Sequence, residues 1–177
     1  IASLKPSVGV GIDISQGMIK EAKKRYSDID FIEADVEEKT SLNVIKETFD
    51  FIILSDTIGY LGDIENTFNH FHKFCNADTR FIVAYYSPFW EPILNLAAKL
   101  KFKMPELQKV LLSENDISAL LNSSSFETVK KQKKILLPFK IFGLGRFVNR
   151  FIASLPVFSY FCLRSYVICR SMKKATL

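Results

Sequence analysis

The chain has 177 residues, of which 48% are hydrophobic and 24% are charged. That length fits one domain, and the composition excludes a disordered, collagenous or low-complexity chain. The net charge of +5 is unevenly divided, because residues 1–127 carry 13 basic and all 19 acidic side chains, whereas residues 128–177 carry 11 basic and no acidic ones. A segment whose charged side chains are all basic indicates either an anionic partner or a solvated basic edge.

The cysteines and the lengths of the apolar runs indicate the cellular compartment of the protein. The three cysteines lie far apart and include no CxxC pair, which argues against a disulfide framework or a zinc site and favours a reducing compartment. No apolar run approaches the roughly 20 residues of a bilayer span, and the first residues do not resemble a signal peptide. We therefore expect a cytoplasmic protein.

Four short segments in the first half of the chain predict strands, at Val8–Asp13, Asp30–Glu33, Phe49–Leu54 and Arg80–Tyr86, and all but the second are apolar runs typical of buried strands. Helices are predicted between them, one from Ser15 to about Arg25 and one from Asp63 to about Cys75, with Ser15 and Asp63 as N-caps. This alternation predicts a parallel sheet with covering helices and right-handed crossovers.

The second half has a different pattern. It predicts a loop and helix over Pro88–Lys103, a capped helix over Ser113–Leu121, a strand near a sheet edge over Phe126–Leu137 and a closing strand over Leu163–Cys169. Residues Ile141–Ala153 predict an amphipathic basic helix, which suits either peripheral contact with an anionic membrane or packing on the sheet. The basic residues are not interleaved with a recognition motif, so nucleic acid is not expected as a partner.

Acidic residues follow the first two predicted strands, Asp13 after the first and Asp35 after the second. In an open parallel sheet, ligands bind outside the carboxyl ends of the strands. A carboxylate there can accept two hydrogen bonds from a ribose diol, and the second acid can accept one from an exocyclic amine such as that of adenine. Either acid alone could instead cap a helix or a turn, but the two together predict an adenosine-containing ligand.

The ordered set of segments resembles a known family. VGVGIDIS at 8–15, MIKEAKKR at 18–25, DFIEADVE at 30–37 and FDFIILSDTIGYL at 49–61 are similar to class I S-adenosylmethionine-dependent methyltransferases, in particular bacterial members encoded beside sugar transferases. The resemblance covers nearly the whole chain and implies an α/β fold, a Rossmann-like parallel sheet with a C-terminal antiparallel strand. It implies one domain over 1–177, with the cofactor side in 1–87 and, in 88–177, the substrate side and a closing hairpin with an inserted helix.

The resemblance also implies S-adenosylmethionine as the cofactor, with no metal, and it assigns eight residues to the cofactor site. Asp13 matches the acid that holds the ribose, and Asp35 matches the acid that meets the adenine amine. Ile14 and Met18 match positions near the adenine or ribose, and Val36 lies beside Asp35. The segment that lines the cofactor and substrate side is matched by Ser55, Asp56 and Thr57. If the acceptor is a hydroxyl, a base is needed, and Asp56, Tyr60 and Tyr86 are candidates for either that role or a structural one.

One part of the family pattern does not occur in the sequence. The first strand of the family and its glycine-rich turn, which lets the backbone approach the methionine part of the cofactor, have no counterpart. Residues Ile1–Lys5 resemble the end of the helix that follows that turn, and Gly9 and Gly11 lie within the next strand. We therefore expect a sequence truncated before the end of the first helix. We also expect either a gap in the sheet between the strands that end at Asp13 and Leu54, or new pairing there.

Three functions remain open from the sequence. The first is methyl transfer to an unidentified small-molecule, sugar or lipid-linked acceptor. The second is a nicotinamide-dependent oxidoreductase, which also uses an acid to bind ribose. The third is a truncated, non-enzymatic domain that binds an anionic membrane surface or a partner through its basic tail. His70 and His72 do not predict a metal site, because positions i and i+2 do not share a helix face.

Overall fold

The computed structural model describes residues 5–90, 92, 96, 99–100, 112–135 and 161–173, and the chain divides into two compact units, 1–47 and 48–177. The first unit contains strand β1 (Val10–Asp13), helix α1 (Gln16–Arg25) and strand β2 (Asp30–Glu33). β1 and β2 are parallel, with Val10 opposite Asp30 and Asp13 opposite Glu33. The strand–helix–strand order predicted for this part of the chain is therefore confirmed.

Local chemistry explains the elements of the first unit. The Ser15 hydroxyl accepts a hydrogen bond from the Met18 amide at 3.4 Å and caps α1 as predicted. Gly11 is required by close packing, since a Cβ there would lie 2.6 Å from Cδ1 of the Phe31 ring. The unit has a small core of aliphatic side chains, Ile19, Ile29, Ala34, Leu42 and Ile45, each at most 9% exposed.

The second unit contains the remaining strands and helices. Their bounds are β3 (Phe49–Ser55), α2 (Ile64–Phe71), β4 (Cys75–Tyr86), α3 (Glu114–Ser123), β5 (Phe126–Lys134) and β6 (Arg164–Ser171). The four strands form one sheet in the order β3-β4-β6-β5, in which β3 and β4 are parallel and β6 is antiparallel to both of its neighbours. The predicted closing strand is thus inserted between β4 and β5, and β5 lies at the predicted edge.

Side-chain caps begin both helices of this unit. The Asp63 carboxylate accepts from the Asn66 amide at 2.9 Å. Ser113 and Asp116 form a reciprocal capping box, with bonds of 3.2 and 2.9 Å. α2 ends at Phe71, earlier than predicted, and a 3-10 turn over His72–Phe74 leads directly into β4.

Aromatic packing dominates the core of the second unit. Phe81 on β4 is fully buried between Phe68 of α2, at 5.6 Å between ring centroids, and Phe126 of β5, at 5.0 Å. Ile117 and Leu121 of α3 are fully buried as well. Because one aromatic cluster joins α2 to two strands, these helices cover a face of the sheet.

The predicted fold class is confirmed, with two differences in detail. β4 begins at Cys75 rather than Arg80, and the strands form two sheets instead of one, because β1 and β3 are not paired with each other among the described residues. β3 also differs from the buried strand expected, since Phe51 is 64% exposed and Ile53 is 39% exposed.

Some predictions are not tested. The amphipathic helix over 141–153, and with it the predicted membrane contact, lies outside the described residues, as does most of the helix within 88–103. The division into a cofactor side and a substrate side stays a prediction. Among the helices that are described, none is long and apolar enough to cross a membrane.

Candidate active site

The two aspartates predicted to bind an adenosine lie at the carboxyl ends of neighbouring parallel strands. Asp13 is the last residue of β1, and its carbonyl accepts from the Ala34 amide at 3.2 Å, one residue before Asp35. One oxygen of each carboxylate is used locally: Oδ1 of Asp13 accepts from the Ser15 amide at 2.8 Å, and Oδ1 of Asp35 accepts from the Glu37 amide at 2.9 Å. The second oxygen of each has no hydrogen-bond donor within the described part of the chain.

Apolar side chains accompany these carboxylates. Ile14, directly after β1, is 69% exposed, and Met18 in the first turn of α1 is 61% exposed. Val36 beside Asp35 is partly buried. Exposed aliphatic side chains next to free carboxylate oxygens suit a ligand that combines a flat apolar base with hydroxyl groups.

The cavity of the first unit lies elsewhere. It has a volume of about 520 Å³, and its lining includes Val8, Lys23, Tyr26, Asp30 and Val44, at the starts of the strands and the end of α1. Neither Asp13 nor Asp35 lines it. Both residues are partly buried, and this cavity is not assigned to the cofactor.

In the second unit, the three predicted residues form the turn that follows β3. Ser55 ends the strand, and the Thr57 hydroxyl donates to the Ser55 carbonyl at 3.1 Å. Asp56 has a φ of +59°, in the left-handed region that few residues other than glycine occupy. Its amide donates to the Ala84 carbonyl of β4 at 2.9 Å, which fixes this backbone against the neighbouring strand.

The Asp56 carboxylate is paired with an arginine from the closing strand. Nη1 of Arg164 lies 2.6 Å from Oδ2 of Asp56, and Nη2 of Arg164 donates to the Tyr86 hydroxyl at 3.3 Å. The guanidinium carbon is also 4.4 Å from the centroid of the Tyr86 ring. Burial lowers the pKa of Arg164, but the charges of Asp56 and Tyr86 and the Asp56 hydrogen bond outweigh it, so that the pKa of Arg164 is raised overall.

Aromatic residues surround the same end of the sheet. Tyr60, predicted as a candidate base, is 48% exposed, and Phe89 is 53% exposed. The indole of Trp90 donates to the Phe161 carbonyl at 2.8 Å, which links the end of β4 to the approach to β6. Trp90 therefore has a structural role here, and Phe89 does not belong to the core.

The two histidines do not form a joint site. His72 contacts the Ser171 hydroxyl and the Ser124 carbonyl, each at 2.6 Å, and it stacks on Phe126 at 4.2 Å. Burial, aided by the charge of Lys173 and opposed by the Ser124 bond, lowers its pKa. His72 therefore joins the ends of α3 and β6 at the opposite end of the sheet from Asp56.

Arg164 is the site residue that the sequence interpretation missed. Arg164 is the first residue of the closing strand, and a strand antiparallel to β4 must begin where β4 ends. Together, these two observations would have placed the charge of Arg164 beside the carboxyl ends of β3 and β4.

Comparison with known proteins identifies the fold. Residues 3–143 match a family model described as a methyltransferase domain. A SAM-dependent methyltransferase from Thermotoga maritima has a TM-score of 0.67 at 16% identity, over 95% of this chain and 74% of that one. One from Mesorhizobium loti has a TM-score of 0.64 at 15% identity, over 93% of this chain and 80% of that one.

A third similar structure is the magnesium protoporphyrin IX methyltransferase from Synechocystis with bound SAH. It has a TM-score of 0.57 at 15% identity, and the match covers 95% of this chain but 66% of that protein. The chain thus spans just under two thirds of the length of that protein. Among curated proteins, none matches the sequence.

Proposed function

The chain belongs to the methyltransferase domain family, and on that premise we propose that it transfers the methyl group of S-adenosylmethionine to a small-molecule acceptor. The observation that carries this proposal is the placement of Asp13 and Asp35 at the ends of adjacent parallel strands, each with one oxygen left for a ligand. The similar fold of solved S-adenosylmethionine-dependent methyltransferases supports it.

The residues of the first unit fit the adenosine part of such a cofactor. The free oxygen of Asp13 is suited to accept from the ribose hydroxyls, and that of Asp35 is suited to accept from the adenine amine. Ile14 and Met18 supply exposed apolar surface for the base, with Val36 beside Asp35. The local bonds to Ser15 and Glu37 hold both carboxylates in place before a ligand arrives.

The chemistry demands little covalent participation from the protein. S-adenosylmethionine supplies a sulfonium that is already a good leaving group, so the task of the chain is to place the acceptor in line with the methyl group. Ser55, Asp56 and Thr57 follow a strand whose carboxyl end faces the ligand side of a parallel sheet. On the family resemblance, we assign them to the cofactor and substrate side.

Calorimetric titration with S-adenosylhomocysteine tests the cofactor site. We expect saturable binding that Asp13→Asn and Asp35→Asn each weaken about ten- to a hundredfold, since a hydrogen bond to a charged group contributes about 1.5–3 kcal/mol. Both asparagines keep an oxygen for the local amide bond, so the turns should survive. Asp30→Asn is the matched control, because Asp30 is an exposed acid at the start of β2.

Two results would contradict the proposal. One is the absence of saturable binding by the wild-type chain, and the other is saturable binding of NAD with no response to S-adenosylhomocysteine, which would favour the oxidoreductase. Equal effects of Asp30→Asn and Asp13→Asn would show that general charge, rather than the strand tips, governs affinity.

The acceptor is to be identified by its chemistry. The resemblance to members encoded beside sugar transferases implies a sugar or a lipid-linked glycan, and we propose that class as the first to assay. Release of S-adenosylhomocysteine is measured across a panel of glycosides, phenols and amines. Turnover of phenols or amines without any turnover of glycosides would reject the sugar class.

A further inference from the structure

The contacts of Arg164 join three strand ends that are far apart in sequence. Asp56 follows β3, Tyr86 ends β4 and Arg164 begins β6, and the sheet places Tyr86 directly opposite Arg164. The guanidinium pairs with the carboxylate at 2.6 Å and also lies over the tyrosine ring. A single cation therefore fixes the orientation of the acid that follows β3.

The conformation of Asp56 is costly, and its hydrogen bonding is incomplete. A left-handed backbone at a residue other than glycine costs about 1–2 kcal/mol, and such strain concentrates at functional sites. Oδ2 accepts from Arg164 and from the Ser55 hydroxyl at 3.3 Å. Oδ1 is shielded from bulk water and has no partner among the described residues, which costs about 1–3 kcal/mol unless a donor is supplied.

The side chain that carries this shielded oxygen is nevertheless partly exposed. The Asp56 side chain is 29% exposed and that of Arg164 is 22% exposed, so the pair lies at the surface of the ligand side of the sheet. The terminal torsion of an aspartate is soft, and a small rotation presents Oδ1 to an incoming donor while Oδ2 stays near the guanidinium.

We propose that Arg164 is a positioning residue that holds Asp56 as the hydrogen-bond acceptor for the O–H or N–H group of the molecule to be methylated. This inference rests on the proposed function and goes beyond it by naming how the acceptor is oriented. A carboxylate that accepts a proton gives up its ion pair with Arg164. Asp56 therefore orients the donor group without taking its proton: as the acceptor atom bonds to the methyl carbon and the carbon–sulfur bond breaks, the proton is released to solvent water.

The experiment follows the Arg164 Nε–H and Asp56 amide signals by NMR while the wild-type chain is titrated with phenol, benzylamine or anisole. Phenol and benzylamine carry a donor, whereas anisole has a similar ring without one. We expect saturable shifts of both signals with the donors and none with anisole. Arg164→Gln should weaken donor binding at least fivefold, and Arg164→Lys should weaken it less because the charge is kept.

Arg170→Gln is the matched control, since Arg170 lies on the same strand and forms an ion pair of the same length with Glu127 at the other end. It should leave donor binding unchanged. The inference is overturned if no donor shifts the two signals, if anisole shifts them equally, or if Arg164→Gln and Arg164→Lys both bind donors like the wild type. Binding of S-adenosylhomocysteine, measured separately, reports on the proposed function alone, so the two can fail independently.

Discussion

Two ion pairs on β6 offer a direct test of how burial sets the strength of a charge pair in this sheet. Arg164–Asp56 and Arg170–Glu127 both have an N–O distance of 2.6 Å. Their side chains differ in exposure, at 22% and 29% for the first pair and 51% and 48% for the second. Because the geometry is matched, a difference in coupling energy reports on the surroundings.

The expected magnitudes follow from that difference. Two unit charges about 4 Å apart interact by about 1 kcal/mol in bulk water and about 4 kcal/mol at the effective dielectric near a protein surface, before desolvation and side-chain entropy are subtracted. Exposed pairs retain about 0.2–1 kcal/mol. We expect a coupling energy of about 1.5 kcal/mol for Arg164 with Asp56 and about 0.5 kcal/mol or less for Arg170 with Glu127.

Double-mutant cycles measure both couplings. Arginine is changed to glutamine, Asp56 to asparagine, which tolerates the left-handed backbone, and Glu127 to glutamine. Urea unfolding is followed by the fluorescence of Trp90, the single tryptophan of the chain, which lies in the unit that contains both pairs. In 1 M salt the weaker coupling should disappear first. A coupling for Arg170 with Glu127 equal to or larger than that for Arg164 with Asp56 would refute the reasoning.

Three further predictions concern packing, protonation and thiol chemistry. Gly11→Ala should lower the free energy of unfolding by about 1 kcal/mol, because its Cβ would clash with the Phe31 ring at 2.6 Å; unchanged urea melts followed by circular dichroism would contradict this. Desolvation lowers the pKa of His72 from 6.5, so the unfolded state binds more protons and stability should fall as the pH drops below about 6.5. His72→Gln should remove that component from melts at pH 5.5 and 7.5, and an unaltered difference would exclude His72 as its source. Burial raises the pKa of the Cys75 thiol to about 11 and that of the Cys169 thiol to about 12. Both thiols should therefore react with a disulfide reagent only in urea, and fast labelling of either in the native chain would refute this.

The strands were predictable where a mostly apolar run spans nearly the full length of a strand, as Phe49–Leu54 does in β3. The start of β4 was not, because the segment from Cys75 to Thr79 is mostly polar and lacks alternation. It joins the sheet through Cys75, which pairs with Phe49, and through the Thr79 hydroxyl, which donates to the Phe49 carbonyl at 2.6 Å. A contact with a residue some thirty positions earlier leaves no local pattern in the sequence.

The same distinction applies to the candidate site. Asp13 and Asp35 could be located from sequence because a topological rule places ligands at the carboxyl ends of parallel strands. The pairing of Asp56 with Arg164 spans 108 positions, and it depends on the register of β6 against β4. The left-handed backbone of Asp56 likewise depends on a bond to Ala84 and has no sequence signature.

The open side of β3 has a practical consequence for work in solution. Among the described residues, β3 pairs only with β4, and its other border presents unpaired amides and carbonyls next to the solvent-facing rings and methyl groups of Phe51 and Ile53. The strand contains neither proline nor lysine, the residues that commonly prevent an edge strand from pairing with a strand of another chain. Aggregation should therefore set in faster at higher protein concentration, and Phe51→Lys should delay it.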